Sequence, residues 1–194
     1  MITSYRVQSA RDIDKIVYDI LKQSRSFDSF PTPVNSLVEY AELLVDTGAG
    51  LHDIPNHYIS KRIDVLKNAL SKVFGALDRR KKTIYLSPEM NNGKRSFVKL
   101  HEVGHHTLPW QRDTLEYVED EHSLNPYVQE QFEAEANYFA SASLFQLDRF
   151  ERDIAILPLG IASVRYLAQK YGASIQATFR RYVENYQNAL LCLY

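Results

Sequence analysis

The first amphipathic pattern in the chain lies between residues 9 and 25. Apolar and charged side chains alternate there at the spacing of helix turns, which predicts an amphipathic helix. Its apolar face comprises Ile13, Ile16, Val17, Ile20 and Leu21. Serine and proline residues interrupt the pattern over residues 24–33, as is typical of a linker. We therefore predict that residues 1–33 form an N-terminal helix and linker, for which packing onto the core is a simpler role than docking a partner.

Two more helical patterns and a β-hairpin are predicted after the linker. Apolar positions recur at helical spacing over residues 37–45, up to Gly48, and again over residues 59–73. Two short strand-like runs follow at residues 74–78 and 83–87, on either side of four basic residues. A basic run without interleaved aromatic residues is typical of a solvated turn, so we favour a hairpin over a nucleic-acid site.

Two long helices are predicted in the middle of the chain. The first begins at Lys94 or Ser96 and ends at Pro109, because proline does not continue a helix. The polar, acidic stretch that follows contains one strand-like run at residues 114–118. Asn125 and Pro126 then form a typical N-cap and first helical residue, which predicts the start of the second long helix.

The C-terminal pattern, over residues 160–188, predicts two helices joined by a tight turn. Gly172 is placed to end the first helix and Ser174 to cap the second. The arrangement resembles a helix-turn-helix, with Arg180 and Arg181 on its second helix. DNA binding through these helices is the weaker interpretation, because the formal net charge of the chain is only −1.

The composition is that of an ordinary globular protein. The chain has 194 residues, of which 45% are hydrophobic, and this is enough for one buried core. Neither a secretory signal nor a membrane-spanning stretch is predicted, and the lone Cys192 allows no internal disulfide. The 23 basic and 24 acidic residues give no overall attraction to nucleic acid or anionic membranes. These features predict a cytoplasmic protein without membrane association.

The clearest chemical signal is the run His101-Glu102-Val103-Gly104-His105, which matches the H-E-x-x-H pattern. Histidines four residues apart share one face of a helix, so both imidazoles can bind the same zinc ion. The glutamate beside them flanks the open side of the metal and is the candidate general base. A hydrolytic zinc site of this kind requires a third ligand from elsewhere in the chain.

Glu133, on the second long helix, is the predicted third ligand. It shares one helix face with Ala136, Asn137 and Ala140, so the small alanines allow this face to pack closely on the helix that carries the histidines. Asn137, one turn further on, is then placed to accept a hydrogen bond from the distal nitrogen of a ligand histidine.

Other acidic and imidazole groups receive lesser roles. Glu130 and Glu135 lie at other helical angles and are predicted to be solvated. His122 is a candidate oxyanion donor, although exposure in the acidic loop is the simpler expectation. A purely structural zinc site usually has a fourth Cys or His ligand, and only His106 and His122 lie nearby in sequence. Since His106 adjoins His105 and points elsewhere, we favour a catalytic site over a structural polar cluster.

These residues resemble the ImmA/IrrE family of metallo-endopeptidases. The resemblance is carried by the H-E-x-x-H run with the following His106 and Leu108-Pro109-Trp110, and by Glu133-x-x-Ala-Asn-x-Phe-Ala in the second helix. It covers approximately residues 35–185. One departure is that Ser141, Ser143 and Gln146 interrupt a stretch that is often apolar in the family.

The resemblance implies a gluzincin-like protease with one Zn²⁺ per chain on His101, His105 and Glu133. It also implies a specific protein substrate, a helix-turn-helix (XRE-type) transcriptional repressor whose cleavage switches on genes under stress or in mobile elements. The alternative function is a non-catalytic, metal-binding transcription regulator that binds DNA.

The predicted fold class is α+β. A mostly helical zincin-like domain with a small β-sheet is expected over residues 34–157, and a helix-turn-helix-like subdomain packed on it over residues 158–194.

Overall fold

The computed structural model describes residues 7–48, 75–117 and 125–185. These residues form eight helices and three short strands, which confirms the mostly helical α+β fold class. In chain order the helices are α1 (Ala10–Gln23), α2 (Val34–Tyr40), α3 (Asn92–Thr107), α4 (Pro109–Tyr117), α5 (Pro126–Leu144), α6 (Arg149–Ile156), α7 (Ile161–Tyr171) and α8 (Ile175–Asn185). The helix predicted over residues 59–73 lies outside the described residues, and the predicted domain boundaries stay a prediction.

The three strands form one small mixed sheet. The strands are β1 (Leu44–Asp46), β2 (Gly75–Asp78) and β3 (Thr83–Leu86), in the spatial order β1-β3-β2. The β2–β3 hairpin is antiparallel, with Leu77 opposite Ile84, and it confirms the predicted hairpin with its basic turn. Ile84 and Leu86 point into the core and are 0% and 1% exposed, so the sheet forms one wall of that core.

Strand β1 corrects the helical prediction for residues 37–45. Helix α2 ends at Tyr40, and Glu42 adopts a left-handed backbone conformation with φ 55°. The chain then extends, and Val45 pairs in parallel with Ile84 of β3. Leu44 N–H donates to the carbonyl of Lys82 at 2.8 Å. A sheet partner about forty residues away in sequence therefore overrides the local helical pattern.

Helix α4 corrects the strand prediction at residues 114–118. Pro109 begins the helix, where its missing N–H has no hydrogen bond to lose and its fixed φ favours the helical conformation. The N–H groups of Gln111 and Arg112 donate to the carbonyl of Leu108. Thr114 continues the helix and its hydroxyl donates to the carbonyl of Trp110 at 2.7 Å. The strand-forming residue types of this run are therefore overridden by a helix start that lies five residues earlier.

The predicted N-terminal helix is confirmed as α1, which packs against α5. Ile13, Val17 and Leu21 are 0% exposed and belong to the same apolar cluster as the residues of α3 and α5. The linker after α1 is held by buried Gln146, whose amide NH₂ donates to the carbonyls of Ser26 and Ser29 at 3.3 and 2.7 Å. The N-terminal helix is therefore part of the core.

Helices α3 and α5 pack face to face, and a glycine makes their close approach possible. A Cβ atom at Gly104 would lie 3.1–3.2 Å from three side-chain atoms of Phe139. Ala136 and Ala140 on α5 are both 0% exposed. The small residues in this interface bring the two backbones together, which places side chains of α3 opposite those of α5.

The two C-terminal helices, α7 and α8, confirm the predicted helix-turn-helix-like pair. Gly172 ends α7 in the left-handed conformation with φ 67°, and the hydroxyl of Ser174 caps α8 by accepting from Ala177 N–H at 3.1 Å. The turn between them rests on the start of α3, because a Cβ atom at Gly93 would lie 2.7 Å from Ser174 N. Across the described ranges, no helix is both long and apolar enough to cross a membrane.

Candidate metal centre

Three side chains from α3 and α5 converge at the interface of these helices. His101 and His105 lie one helix turn apart on α3, and their Nε2 atoms are 3.1 Å from each other. The Glu133 carboxylate of α5 approaches them, with oxygen atoms 3.3 Å from His101 Nε2 and 3.4 Å from His105 Nε2. One donor atom from each residue lies within 4.8 Å of the other two. The structure therefore brings the three predicted ligands together.

Amide oxygens fix the distal side of both imidazoles. His101 Nδ1 lies 3.0 Å from Asn137 Oδ1, and His105 Nδ1 lies 2.7 Å from Gln111 Oε1. An amide oxygen can only accept a hydrogen bond, so each Nδ1 carries the proton and donates. Each Nε2 lone pair then faces the other histidine and Glu133.

This donor set fits a divalent metal ion. Two neutral imidazole nitrogens and one carboxylate oxygen are a ligand set that zinc prefers at catalytic sites. Two nitrogen lone pairs 3.1 Å apart repel each other unless a cation or a proton lies between them. His101 and His105 are 1% and 5% exposed, so little water is available to reduce the repulsion between the two lone pairs. The residues present therefore fit the metal that the sequence predicts, without selecting zinc over other divalent ions.

The protonation of Glu133 is governed by its two imidazole neighbours. Burial alone would raise the pKa of its carboxyl group, but the contacts with His105 and His101 outweigh burial and lower the pKa well below its usual range. Glu133 is therefore ionised at neutral pH, as a metal ligand must be.

The candidate base, Glu102, is also buried. It follows His101 directly on α3 and is 5% exposed. Its position next to a ligand is set by the regular geometry of α3, which Asn91 caps by accepting from Lys94 N–H at 2.9 Å. The helix begins at Asn92, slightly earlier than predicted, and ends before Pro109 as predicted.

Glu135 is not solvated, and the prediction for this residue was wrong. It is 1% exposed and its carboxylate accepts hydrogen bonds from four side chains. The donors are Ser9 of the segment before α1 (2.6 Å), Trp110 (2.7 Å), Gln111 (2.8 Å) and Gln131 (3.2 Å). Burial raises the pKa of this carboxyl group, but the four donors together lower it below its ordinary value. The face of α5 that carries Glu135 is covered by α4, where a strand had been predicted.

Gln111 is the site residue that the sequence did not reveal. Its side chain is 0% exposed and lies between His105 and Glu135. The only sequence signal was its place directly after Pro109-Trp110, at the start of a helix that was not predicted. Glu130 is exposed, in agreement with the prediction.

The other histidines lie elsewhere. His106 lines a separate surface groove together with Tyr40 and Arg112, and it is not part of the three-ligand cluster. His122, the candidate oxyanion donor, lies outside the described residues.

Comparisons with known proteins agree with this geometry. The family model described as the IrrE N-terminal-like domain, Peptidase_M78, matches residues 60–182, well over half of the chain. This range includes the H-E-x-x-H run and Glu133, and the match confirms the resemblance stated from the sequence. No curated protein matches the chain significantly.

A solved structure described as a Mycobacterium tuberculosis transcriptional regulator has a similar fold. The TM-score is 0.58 and the sequence identity is 16%, so the likeness shows the fold alone. The alignment covers 88% of this chain and 46% of that one. The chain therefore spans less than half the length of that structure.

Proposed function

We propose that this chain, which belongs to the Peptidase_M78 family, is a metal-dependent endopeptidase with zinc as its metal. The observation that carries the proposal is the convergence of His101, His105 and Glu133, with donor atoms within 4.8 Å of one another. Membership in a peptidase family supports a hydrolytic use of this cluster over a structural one. His101, His105 and Glu133 would hold the ion, one per chain.

A zinc ion bound there would supply a Lewis acid that polarises a peptide carbonyl and lowers the pKa of water. In the proposed mechanism Glu102 accepts a proton from the attacking water and then donates it to the leaving amine. Asn137 accepts from His101 Nδ1–H and so keeps the Nε2 lone pair of that ligand directed at the site. Burial of Glu102 and both histidines limits competing contacts with bulk water.

We further propose that the substrate is a helix-turn-helix repressor in the cytoplasm, cleaved at one site to derepress its genes. The family resemblance supports this, and so does the hazard that an unrestricted protease would present to its own cell. The similarity in fold to a protein described as a transcriptional regulator is compatible with a regulatory role.

The test compares the wild-type chain with Glu102→Gln and, as a matched control, Glu130→Gln on the exposed face of α5. Each protein is expressed in cells grown with added zinc. New protein N-termini in these cells are identified by mass spectrometry, and the zinc content of each purified protein is measured. We expect one or very few cleavage sites with the wild type and with Glu130→Gln, at least one of them in a helix-turn-helix repressor. Glu102→Gln keeps the three ligands, so it should retain zinc while cleavage falls by at least about a hundredfold.

Three results would contradict parts of this proposal. Near-wild-type cleavage by Glu102→Gln would exclude this residue as the base. Many-site degradation of unstructured casein by the purified protein would exclude a dedicated regulatory protease. Cleavage that persists after chelation of the metal would exclude a metal-dependent mechanism.

The competing function is a non-catalytic regulator that binds DNA through α7 and α8. The observation that favours it is the exposure of two arginines on these helices, Arg165 and Arg180. Salt-dependent binding of duplex DNA by Glu102→Gln, with no cleaved partner for the wild type, would support this function over proteolysis.

A further inference from the structure

We propose that Gln111 and Glu135 are positioning residues that fix the tautomer and orientation of His105. The inference deepens the proposed function, because it concerns a ligand of the same metal site, and it rests on that function. It assigns roles to one residue that the motif does not contain and to one acid that the sequence pattern had placed in solvent.

Glu135, Gln111 and His105 are linked by consecutive hydrogen bonds, which we call the relay, and Glu135 is its fixed end. Its carboxylate is buried, and it accepts from four donors on three parts of the chain: Ser9, Trp110 and Gln111, and Gln131. The indole and amide N–H groups among these partners can only donate, so the carboxylate oxygens must accept. With 1% of its surface exposed, Glu135 cannot replace these donors with water. The acid is therefore held in one position.

Gln111 is the next step, and its amide can take only one orientation. The amide NH₂ donates to Glu135 Oε2 at 2.8 Å and to the carbonyl of Phe132 at 3.0 Å. Both partners are acceptors, so a flipped amide would put its oxygen against two other oxygens. Because the NH₂ group is committed to these acceptors, Gln111 Oε1 must face the opposite way, towards His105.

His105 is the end of the relay. Its Nδ1 lies 2.7 Å from Gln111 Oε1, so this nitrogen must carry the proton. The unprotonated Nε2 then points towards His101 and Glu133, as metal coordination requires. The acceptor oxygen of Glu135 thus fixes the orientation of Gln111, and through it the tautomer of a histidine that Glu135 does not touch.

The other ligand histidine is held differently. His101 Nδ1 contacts Asn137 Oδ1 at 3.0 Å, and Asn137 is partly exposed on the same helix as Glu133. His105 is held by a fully buried glutamine on α4, backed by a buried carboxylate. Outer partners of metal-bound histidines contribute about 10–100-fold to metal affinity. We expect the larger part of that range for the more deeply buried support of His105.

The test compares Gln111→Met with Gln131→Met. Both variants replace a glutamine that donates to Glu135 by an apolar side chain of similar length, but only Gln111 also contacts His105. Two quantities are measured: Zn²⁺ affinity by competition with a chelator, and the imidazole tautomer by ¹⁵N NMR of the metal-free protein at a pH where the rings are neutral.

We expect Gln111→Met to weaken Zn²⁺ binding by about 10–100-fold and to give His105 a mixture of tautomers. Gln131→Met should change both quantities much less than Gln111→Met, because Ser9, Trp110 and Gln111 still donate to Glu135. Glu135→Gln replaces one acceptor oxygen at this position by an NH₂ donor, and we expect it to shift the His105 tautomer in the same direction. A role in folding alone would change the unfolding temperature of these variants without changing the tautomer of the folded protein.

The proposal is overturned if Gln111→Met keeps the wild-type tautomer and Zn²⁺ affinity. It is also overturned if the metal-free wild-type protein carries the His105 proton on Nε2. This measurement needs no variant, so it remains possible if a variant fails to fold. A wild-type protein that binds no zinc would contradict the proposed function instead. The positioning of His105 could still be tested in that case, because its tautomer is measured in the metal-free protein.

Discussion

The two helix pairs of this molecule, α3 with α5 and α7 with α8, distribute polar side chains in opposite ways. The first pair buries ionisable groups, each 5% exposed or less: His101, Glu102, His105 and Glu135. The second pair buries mainly apolar residues, among them Val164 and Leu167, and keeps Arg165 and Arg180 at the surface. It also exposes large apolar side chains, namely Ile161, Tyr166, Ile175 and Phe179.

This difference indicates where chemistry is concentrated. Burying an ionisable group destabilises a fold unless the group is hydrogen-bonded or paired with an opposite charge. A helix interface that buries several such groups, with a specific partner for each ligand histidine, is therefore a candidate functional site. The α7–α8 pair has no comparable buried ionisable cluster among the described residues, and its buried surface needs no such compensation. We expect the α7–α8 pair to stabilise the fold and to support the start of α3.

The largest effect should follow from removing a ligand in the first pair. Glu133→Ala deletes the only carboxylate of the three-residue cluster, so we expect stoichiometric zinc to be lost, beyond the roughly 10–100-fold cost of an outer-shell change. The measurement is metal content after gel filtration, and Glu130→Ala on the exposed face of α5 is the control. Full zinc retention in Glu133→Ala would pass the role to another acid and remove the basis of the comparison.

The next largest effect should come from two glycines of α3 that serve different pairs. A Cβ atom at Gly104 would crowd Phe139 of α5, and one at Gly93 would crowd the backbone of the α7–α8 turn. Overpacking of this kind typically costs about 1–3 kcal/mol, so both alanine variants should lower the free energy of unfolding in urea. Only Gly104→Ala should also weaken zinc binding, because it separates the ligand-bearing helices. Equal zinc affinities in the two variants would show that the α3–α5 distance does not control the site.

The interfaces around these two glycines differ in how well the sequence predicts them. The facing of α3 and α5 followed from local rules, each of which involves only residues close together in sequence: histidines four residues apart, alanines on one face of the second helix, and Asn125-Pro126 at its start. The structure agrees with each of these. The contact of Gly93 with the α7–α8 turn is long-range, and no local pattern announces it.

The two wrong element predictions have the same cause. Val45 continues a helical pattern, yet it pairs with Ile84 in a sheet that the local sequence does not encode. Residues 114–118 have strand-like composition, yet Pro109 starts a helix that carries Thr114 with it. Once α4 was predicted as a strand, nothing remained to cover Glu135, so its burial could not be predicted either. Sequence reasoning therefore found the three candidate ligands and Asn137 beside His101, but it missed Gln111 and Glu135, which lie behind His105.

A smaller effect should appear when the metal-free proteins are acidified. The folded-state pKa of Glu135 is lowered from an unfolded value of about 4.5, so its stabilising contribution is complete above that pH and is lost as the pH falls through the folded pKa. The difference in free energy of unfolding between wild type and Glu135→Gln should therefore be largest near pH 7 and shrink below pH of about 4.5. Glu133 titrates in both proteins and cancels in this difference. A difference that is independent of pH would mean that Glu135 is not ionised when folded.

The smallest effect should be seen at the surface of the second pair. Arg180 is 82% exposed and pairs with Glu184 one helix turn away at 3.1 Å. Arg180→Ala should change the free energy of unfolding by less than about 0.5 kcal/mol and leave zinc affinity unaltered. The same variant should show no change in duplex DNA retention on a filter at low salt. A clear loss of retention would assign chemistry to α7–α8 and reverse the comparison.

The buried position of α1 has a practical consequence for anyone who wishes to isolate the part of the chain that matches the family model. The family match begins at residue 60, after α1, α2 and β1. A gene trimmed to that boundary would encode a polypeptide without Ile13, Val17 and Leu21, each 0% exposed in the intact chain, and would deprive β3 of one of its neighbours. We expect such a fragment to expose the apolar side of α5 and to aggregate on expression. The range that matches the family model, residues 60–182, is thus shorter than the range that we expect the protein to need for folding, which includes α1, α2 and β1.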